Sequence, residues 1–138
     1  MKTHPLTKED RELIEIAKRV VDKNYQRKRA INSSVGCSLI SSSGKIYIGS
    51  NIQNRVSYPV SIDAEEGAIE QMFTRGERKI KTIVSVHKIE KGYEIFTPCG
   101  HCSQLILQFG NPFVIISKTK KVKIKNFMPL AFTKWTKS

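Results

Sequence analysis

The chain has 138 residues and a mass of 15.7 kDa, which suffices for one domain but not for two independent cores. Apolar residues make up 39% of the composition, charged residues make up 26%, and there are only 8 glycines and 5 prolines, so a disordered or fibrous chain is excluded. Because no apolar run reaches the ~20 residues of a bilayer span and the charged start lacks the apolar stretch of a secretory signal, we expect a single cytoplasmic domain over residues 1–138 with no membrane contact.

The chain carries 24 basic against 12 acidic residues, a formal net charge of +12. Residues 1–29 and 95–138 hold most of the basic excess, whereas residues 30–74 hold two basic and four acidic side chains. A field of this sign attracts phosphates and anionic surfaces, and a nucleic-acid-binding surface would have the same composition. Since the basic tracts lack the interleaved aromatic residues that stack on bases, we favour a solvated surface and expect no nucleic-acid partner.

Apolar periodicity and turn residues predict the element order αββαβαβ. Thr7 opens a capping-box pattern, and the helical repeat that follows ends near Lys23. A hairpin is then predicted over residues 35–40 and 45–51, a second helix over 64–74 and a strand over 79–86. A third helix, with a proline in its first turn, is predicted over residues 98–110, and a buried strand over 113–117. An edge strand over residues 122–124 and an apolar segment over residues 127–135 complete the prediction.

Candidate metal ligands lie at the starts of the two later helices, in Asp63-Ala64-Glu65 and Pro98-Cys99-Gly100-His101-Cys102. Cys99 and Cys102 stand at i and i+3, so both sulfurs face one side of a first helical turn, where the helix dipole favours thiolates. With Asp63 they offer zinc three protein donors and an open fourth position for water, which is typical of a catalytic rather than a structural site. Glu65 would not bind the metal but could take a proton from that water.

Further segments accompany these two motifs, namely Gly44–Ile52, Ser57–Pro59, Gln104 and Met128–Phe132. Together with Asp63-x-Glu65 and Pro98-Cys99-x-x-Cys102, they make the chain similar to the zinc-dependent cytidine deaminase family over roughly residues 8–132. The small cytidine deaminases and the blasticidin S deaminases are the members it resembles. Two separated motifs in the right order, with the expected strand before them, make this resemblance specific.

The resemblance implies a three-layer α-β-α cytidine deaminase-like fold with a mixed five-stranded sheet. It implies hydrolytic deamination at C4 of a cytosine nucleoside, to a uracil nucleoside and ammonia in pyrimidine salvage, with Zn²⁺ as cofactor and a homotetramer as assembly. The resemblance implies that Glu65 is the proton shuttle and that Asp63, Cys99 and Cys102 are the zinc ligands. It also implies that Asn51, Gln53 and the backbone near Ala64 contact the nucleoside.

Two departures from the family pattern concern the metal site. Asp63 stands where the family has Cys or His, and a carboxylate is a less usual zinc ligand there. Glu66 follows Glu65, whereas three-cysteine members commonly have an arginine that offsets thiolate charge. The compensating positive charge is therefore expected from His101, from Arg55 or from a neighbouring subunit.

Two departures concern the substrate. Gln53 replaces the glutamate of the sugar-binding pattern, which removes the charge that would hold a ribose hydroxyl. Ser33 stands where the family places an aromatic ring near the base. The missing ring and Trp135 bring the chain closer to the blasticidin S deaminases, so a cytosine aminonucleoside such as blasticidin S is the alternative substrate.

Other interpretations of the same residues stay open. Asp63 alone would be read as a helix N-cap, because aspartate favours that position. The Cys99-x-x-Cys102 spacing also occurs in thioredoxin-like proteins, but those carry an aromatic residue before the first cysteine and this chain has Pro98. A third possibility is a module of deaminase fold that binds a nucleoside without turnover, which the changes at Asp63 and Gln53 would allow.

Overall fold

In the computed structural model, which describes residues 1–133, the chain forms three α-helices, nine β-strands and two short 3₁₀ turns. In chain order these are β1 His4–Pro5, α1 Lys8–Asn24, β2 Ile31–Asn32, β3 Val35–Ser41, β4 Ile46–Ser50, β5 Gln53–Asn54, a 3₁₀ turn Tyr58–Val60, α2 Ala64–Thr74, β6 Ile80–Ile89, β7 Gly92–Phe96, α3 Gly100–Leu107, β8 Phe113–Ile115, β9 Lys120–Lys123 and a 3₁₀ turn Ile124–Asn126. The predicted order αββαβαβ is contained in this series, and the predicted bounds of the second helix agree with α2.

The main sheet has the strand order β1-β9-β8-β6-β3-β4, and β7 pairs with β6 beside this path. It is mixed, because β6 runs parallel to β8 and antiparallel to β3. Strands β2 and β5 form a separate two-stranded ribbon. The predicted α/β class with a mixed sheet is confirmed, but the predicted count of five strands is wrong, since the two-residue β1 and the half-exposed β7 also join the sheet.

One edge of β6 is shared between two strands. Its first half pairs with β8 at Thr82 and Ile83, and its second half pairs with β7 from Ser85 to Ile89. Strand β8 is only three residues long, so it leaves the second half of this edge free for β7. The chain leaving β7 at Phe96 therefore passes directly over the middle of the sheet on its way to α3.

The helices cover both faces of the sheet and give the expected three layers. On one face α1 packs on β3, β6 and β8 through a cluster formed by Leu13, Ile14, Ala17, Ile40, Val84, Val86 and Ile115. On the other face α2 and α3 pack on the same strands through a cluster that includes Leu39, Ala68, Ile69, Met72, Ile83, Ile106 and Val114. Alternate residues of each strand thus serve opposite layers.

The predicted apolar C-terminal segment contacts the core only in part. Phe127 and Ala131 pack against the α2–α3 cluster, while Leu130 and Phe132 are exposed. Trp135 lies outside the described residues. Within residues 1–133, none of the helices is both long enough and apolar enough to cross a bilayer.

Helix α1 is tied to the sheet by a buried ion pair. Lys121 Nζ lies 2.6 Å from Asp10 Oδ2, and the two side chains are 10% and 1% exposed. Asp10 also completes the capping box with Thr7, whose N–H donates to Asp10 Oδ2 at 2.9 Å. Burial raises the pKa of the Asp10 carboxyl, but the hydrogen bonds from Lys121 and Thr7 outweigh burial and bring this pKa below its ordinary value.

This depressed pKa sets the sign of a pH effect on stability. Since Asp10 is more acidic in the folded chain, its contribution is present above the unfolded-state pKa and is lost as pH falls through the folded-state pKa. We expect Asp10→Asn to lower the free energy of unfolding at pH 7 by about 3–5 kcal/mol, because it leaves the Lys121 charge buried and unpaired. The variant should also lose less stability than the wild type between neutral and acid pH, as measured by urea unfolding.

The matched control is Asp22→Asn, which breaks an exposed pair with Lys88 at 2.8 Å. An exposed pair contributes about 0–1 kcal/mol, so this control is expected to change stability little. If both variants lost the same free energy of unfolding, burial of the Asp10–Lys121 pair would not add to its contribution to stability.

Candidate metal centre and active site

The starts of α2 and α3 meet on one face of the sheet and bring three potential metal donors together. Asp63 is the N-cap of α2, and Cys99 is the N-cap of α3. The donor atoms of Asp63, Cys99 and Cys102 all lie within 4.8 Å of one another, and Cys102 Sγ is 3.1 Å from Asp63 Oδ2. The expectation that Pro98 opens the helix is wrong: α3 begins at Gly100, so Pro98 sets the extended backbone that leads into the Cys99 cap.

The donor chemistry of this cluster fits zinc. Two sulfurs and a carboxylate oxygen around one tetrahedral zinc would lie about 3–4 Å apart, close to the spacing seen here. Burial raises the pKa of the Cys102 thiol well above its usual range, and the Glu65 and Asp63 carboxylates raise this pKa further. Without a cation the thiol is therefore held protonated, whereas a bound divalent cation would offset these negative charges and favour the thiolate.

Glu65 is buried beside the cluster. It occupies the second position of α2, and a cavity of about 180 Å³ is bordered by Glu65 together with Asp63, Cys99 and Cys102. Burial raises the pKa of the Glu65 carboxyl, and the Asp63 charge adds to this effect. The backbone N–H of Glu65 itself, and then the nearby Ser85 and Cys102 side chains, lower this pKa without cancelling the shift. The carboxyl can therefore hold a proton more readily than an exposed glutamate.

Glu66 and His101 form a second contact between the two helix starts. Glu66 Oε1 accepts a hydrogen bond from the Asp63 N–H at 2.9 Å, and Glu66 Oε2 lies 3.3 Å from His101 Nε2. Of the two compensating groups considered from the sequence, His101 lies at this junction. Arg55 instead lines a separate, larger cavity.

The three residues expected to contact a nucleoside all border the cavities near the cluster. Ala64 and Asn51 line the 180 Å³ cavity, and Asn51 and Gln53 line an adjoining cavity of about 280 Å³. Asn51 Oδ1 accepts from the N–H groups of Ser34 and Val35 at 2.8 and 2.9 Å. Its Nδ2 makes no hydrogen bond within the described part of the chain, so this amide is left to donate to a ligand. Gln53 Nε2 donates to the Tyr58 hydroxyl at 2.8 Å.

Phe96 is a site residue that the sequence analysis missed. It is 40% exposed, borders both cavities, and stacks on His87 with ring centroids 4.6 Å apart and an interplanar angle of 27°. Phe96 of β7 thus supplies an aromatic ring at these cavities, whereas Ser33 lies outside their linings. Its signal in the sequence is an aromatic residue three positions before Cys99, but without a prediction for β7 that residue could not be placed.

Gly49 fixes the position of the α2 start. A Cβ at this position of β4 would lie under 3.0 Å from the Ala64 carbonyl oxygen and the Ala68 nitrogen. Only a glycine therefore lets β4 approach the helix so closely. This contact sets the depth at which Asp63 and Glu65 enter the site.

The fold and the site together define a class of protein: a three-layer α/β domain with a metal-donor cluster beside a buried carboxyl. A family model described as the cytidine and deoxycytidylate deaminase zinc-binding region matches residues 7–118. The chain therefore belongs to the zinc-dependent cytidine and deoxycytidylate deaminase family.

Individual relatives agree with this assignment. A blasticidin-S deaminase of Bacillus cereus is 27% identical over an alignment covering 97% of this chain and 99% of the relative. A cytidine deaminase of Mycoplasma genitalium is 35% identical over 69% of this chain and 66% of the relative. Among solved structures, a cytidine deaminase of Burkholderia pseudomallei gives a TM-score of 0.74 at 27% identity, covering 92% of this chain and 100% of that structure.

We expect the purified chain to carry about one zinc ion, since the cluster offers one set of three donors. Cys102→Ala should lose the metal, while Cys37→Ala, which removes a buried thiol outside the cluster, should keep it. Asp63→Cys should keep or raise zinc affinity, because a thiolate is a softer ligand than a carboxylate. Elemental analysis after dialysis measures these contents. Full zinc retention in Asp63→Ala would mean that Asp63 serves only as a helix cap.

Proposed function

We propose that the chain hydrolyses cytidine or deoxycytidine to uridine or deoxyuridine and ammonia. The observation that carries this proposal is the buried carboxyl of Glu65, which borders one cavity with the Asp63–Cys99–Cys102 cluster. That cavity is also lined by Asn51 and Phe96, a hydrogen-bond donor and an aromatic ring suited to a nucleoside. Membership of the deaminase family supports the same reaction.

Asp63, Cys99 and Cys102 would hold the zinc ion, which when bound makes water acidic enough to act as a nucleophile near neutral pH. Glu65 then has the task of moving protons. It takes one proton from the attacking water while the water oxygen bonds to C4 of the cytosine ring, and it passes this proton to N3. It then takes the remaining proton from the new C4 hydroxyl and passes it to the exocyclic nitrogen. The C4–N bond breaks and ammonia leaves. A carboxyl whose pKa is raised by burial suits this exchange, because both of its protonation states are accessible.

The surrounding residues orient the substrate. We propose that the free Asn51 Nδ2 donates to a sugar hydroxyl, and that Gln53 adds a neutral contact at the same end. The Phe96 ring is placed to lie against the base, while backbone groups at Ala64 and Cys99 border the ring's polar edge. Ser85 of β6, which lines a small pocket together with Glu65, would act as a positioning residue for the carboxyl.

A cytosine aminonucleoside such as blasticidin S is the second candidate substrate. It is favoured by the likeness to a blasticidin-S deaminase along almost the whole of both chains. An absorbance assay with cytidine, deoxycytidine and blasticidin S side by side discriminates between these substrates. Inactivity of the zinc-loaded chain on all of them would favour a binding module without turnover.

We expect Glu65→Gln to lower kcat by about 10²–10⁴-fold, because the amide keeps the size of the side chain but cannot accept the proton. Zinc content should stay unchanged, since Glu65 is outside the donor cluster. Glu70→Gln, an exposed change on the same helix, is the matched control and should leave kcat at the wild-type value. Wild-type turnover in Glu65→Gln would remove Glu65 from the mechanism.

We further propose that the 138 residues act as one domain that assembles into a homotetramer. Val56, Tyr58, Val60 and Ile62 form an exposed apolar stretch between β5 and α2, beside the candidate active site. Large apolar residues grouped in this way are commonly covered by a partner subunit. Light scattering is expected to give about four times the chain mass, and Val60→Asp should reduce it. A mass of one chain for the wild type at all concentrations would contradict this assembly.

The three cysteines also bear on location. Cys37, Cys99 and Cys102 are all free thiols. Free thiols next to a metal site persist in reducing compartments, where disulfides are rare. We therefore propose that the enzyme works in the cytoplasm, in pyrimidine salvage.

A further inference from the structure

His87 is a titratable side chain that borders the candidate active site and is not used by the mechanism above. It lies near the end of β6, is partly buried, and lines both the 280 Å³ cavity and a larger cavity of about 720 Å³. Its Nδ1 atom is buried without a hydrogen-bond partner within residues 1–133. Buried polar atoms in folded chains are nearly always paired, so an unpaired one needs an explanation.

Strand pairing turns His87 towards the active-site face of the sheet. Ser85 of β6 pairs with Phe96 of β7, and residues that pair directly in a sheet point to the same face. His87 follows Ser85 by two positions, so it shares that face with Phe96. The two rings stack with centroids 4.6 Å apart, and this contact fixes the plane of the imidazole.

The burial of Nδ1 decides which ring nitrogen of His87 can meet a ligand. A neutral imidazole carries one proton, and placing it on Nδ1 would bury an N–H group that has no acceptor. We therefore assign the proton to Nε2. In the charged imidazole both nitrogens carry a proton, so Nε2 is a donor in either state. It forms no hydrogen bond within the described residues and is left to donate to a group in the two cavities.

Val35 of β3 places this donor beside the proposed sugar site. On one side Val35 pairs with His87 of β6, and on the other side its N–H donates to Asn51 Oδ1 at 2.9 Å. Val35 also borders both the 180 Å³ and the 280 Å³ cavity. The amide Nδ2 of Asn51 and Nε2 of His87 are thus two hydrogen-bond donors that flank one position of the central strand.

We propose that His87 is a substrate-binding residue, and that its Nε2 donates a hydrogen bond to the 5′-hydroxyl of the nucleoside sugar. This inference rests on the proposed deaminase function and specifies how its substrate is held. The base has to lie in the 180 Å³ cavity for C4 to reach Glu65, and His87 does not border that cavity. The sugar then lies over Val35, with its ring hydroxyls at Asn51. The hydroxymethyl group, which extends from the far side of the sugar ring, reaches His87.

Two other roles fit His87 less well. Phenylalanine would stack on Phe96 without burying an unpaired nitrogen, so packing alone does not account for a histidine at this position. An ion pair is the other role. Glu94 pairs directly with His87 across β6 and β7 and faces the same side, yet no ion pair joins the two within residues 1–133. Its free nitrogen therefore remains available to a ligand.

The test compares kcat/KM of the zinc-loaded full chain for cytidine and for 5′-deoxycytidine, which lacks the proposed acceptor. We expect the wild type to prefer cytidine about tenfold, the upper range for one neutral hydrogen bond. His87→Phe keeps an aromatic ring beside Phe96 but removes the donor, so it should bring the ratio near unity. The change should fall mainly on KM of cytidine, because the 5′-hydroxyl is remote from the reacting carbon. Selectivity against 3′-deoxycytidine should stay unchanged in this variant.

Two further variants make the result specific. His87→Gln places an amide N–H near the position of Nε2 without the aromatic ring, so it should restore part of the ratio that His87→Phe loses. His4→Phe makes the same substitution at a ring that packs on Phe113, with centroids 5.0 Å apart, outside all three cavities. It should leave the ratio at the wild-type value. Zinc content and thermal unfolding of each variant show whether the site and the fold are kept.

Equilibrium binding of the product nucleosides gives a measurement that does not depend on turnover. We expect uridine to bind the wild type more tightly than 5′-deoxyuridine by a factor similar to the kinetic ratio. Calorimetric titration of His87→Phe should show that this difference is lost.

Equal kcat/KM for cytidine and 5′-deoxycytidine, or a preference that His87→Phe leaves intact, would overturn the role of His87 while the deaminase function stands. Loss of selectivity against 3′-deoxycytidine alone would also overturn it. Inactivity towards every nucleoside would instead remove the proposed function. In that case the uridine titrations decide on His87: a preference that His87→Phe removes supports the contact, and equal binding of the two products overturns it. If His87→Phe does not fold, the comparison of the wild type with His87→Gln takes its place.

Discussion

The candidate active site depends on the close approach of two helix starts over the middle of one sheet. Cys102 Sγ and Asp63 Oδ2, which stand 39 positions apart in the chain, come within 3.1 Å because α2 and α3 both begin on the same face. Two features of the sheet allow this. Gly49 lets β4 contact α2 without a side chain between them, and the shared edge of β6 lets β7 deliver the chain to Cys99 from the adjacent position.

This approach concentrates acidic groups in a poorly hydrated place. Asp63, Glu65, Cys99 and Cys102 surround one cavity, and both Glu65 and Cys102 are buried with a raised pKa. In the absence of a cation, protonation is the way such a cluster avoids mutual repulsion. A divalent ion would change this balance, since its positive charge would stabilise the thiolates and the Asp63 carboxylate. The negatively charged groups that surround this cavity therefore favour a bound cation on electrostatic grounds, in addition to any need of the proposed reaction for a metal.

Local patterns were sufficient to predict much of the fold and the separate parts of the site. The Thr7 capping box and the apolar repeat after it predicted α1, and the apolar periodicity over residues 64–74 predicted α2, because these signals act over a few residues. Strand β7 could not be predicted, since its half-exposed residues are held by pairing with β6 rather than by their own pattern. Because β7 was not predicted, the position of Phe96 beside the Asp63–Cys99–Cys102 cluster could not be predicted either.

The place where basic residues gather on the molecule also could not be predicted from local patterns, although the net charge of +12 is evident from the sequence. Along the sequence, the basic residues near position 27 indicate a solvated surface, and Arg55 is one candidate for offsetting the negative charge of the metal site. The β2–β5 ribbon brings them together at one cavity of about 720 Å³, a pairing between segments that no local pattern contains. Strand pairing between distant segments therefore decides where the excess positive charge gathers on the molecule, and the net charge alone carries no such information.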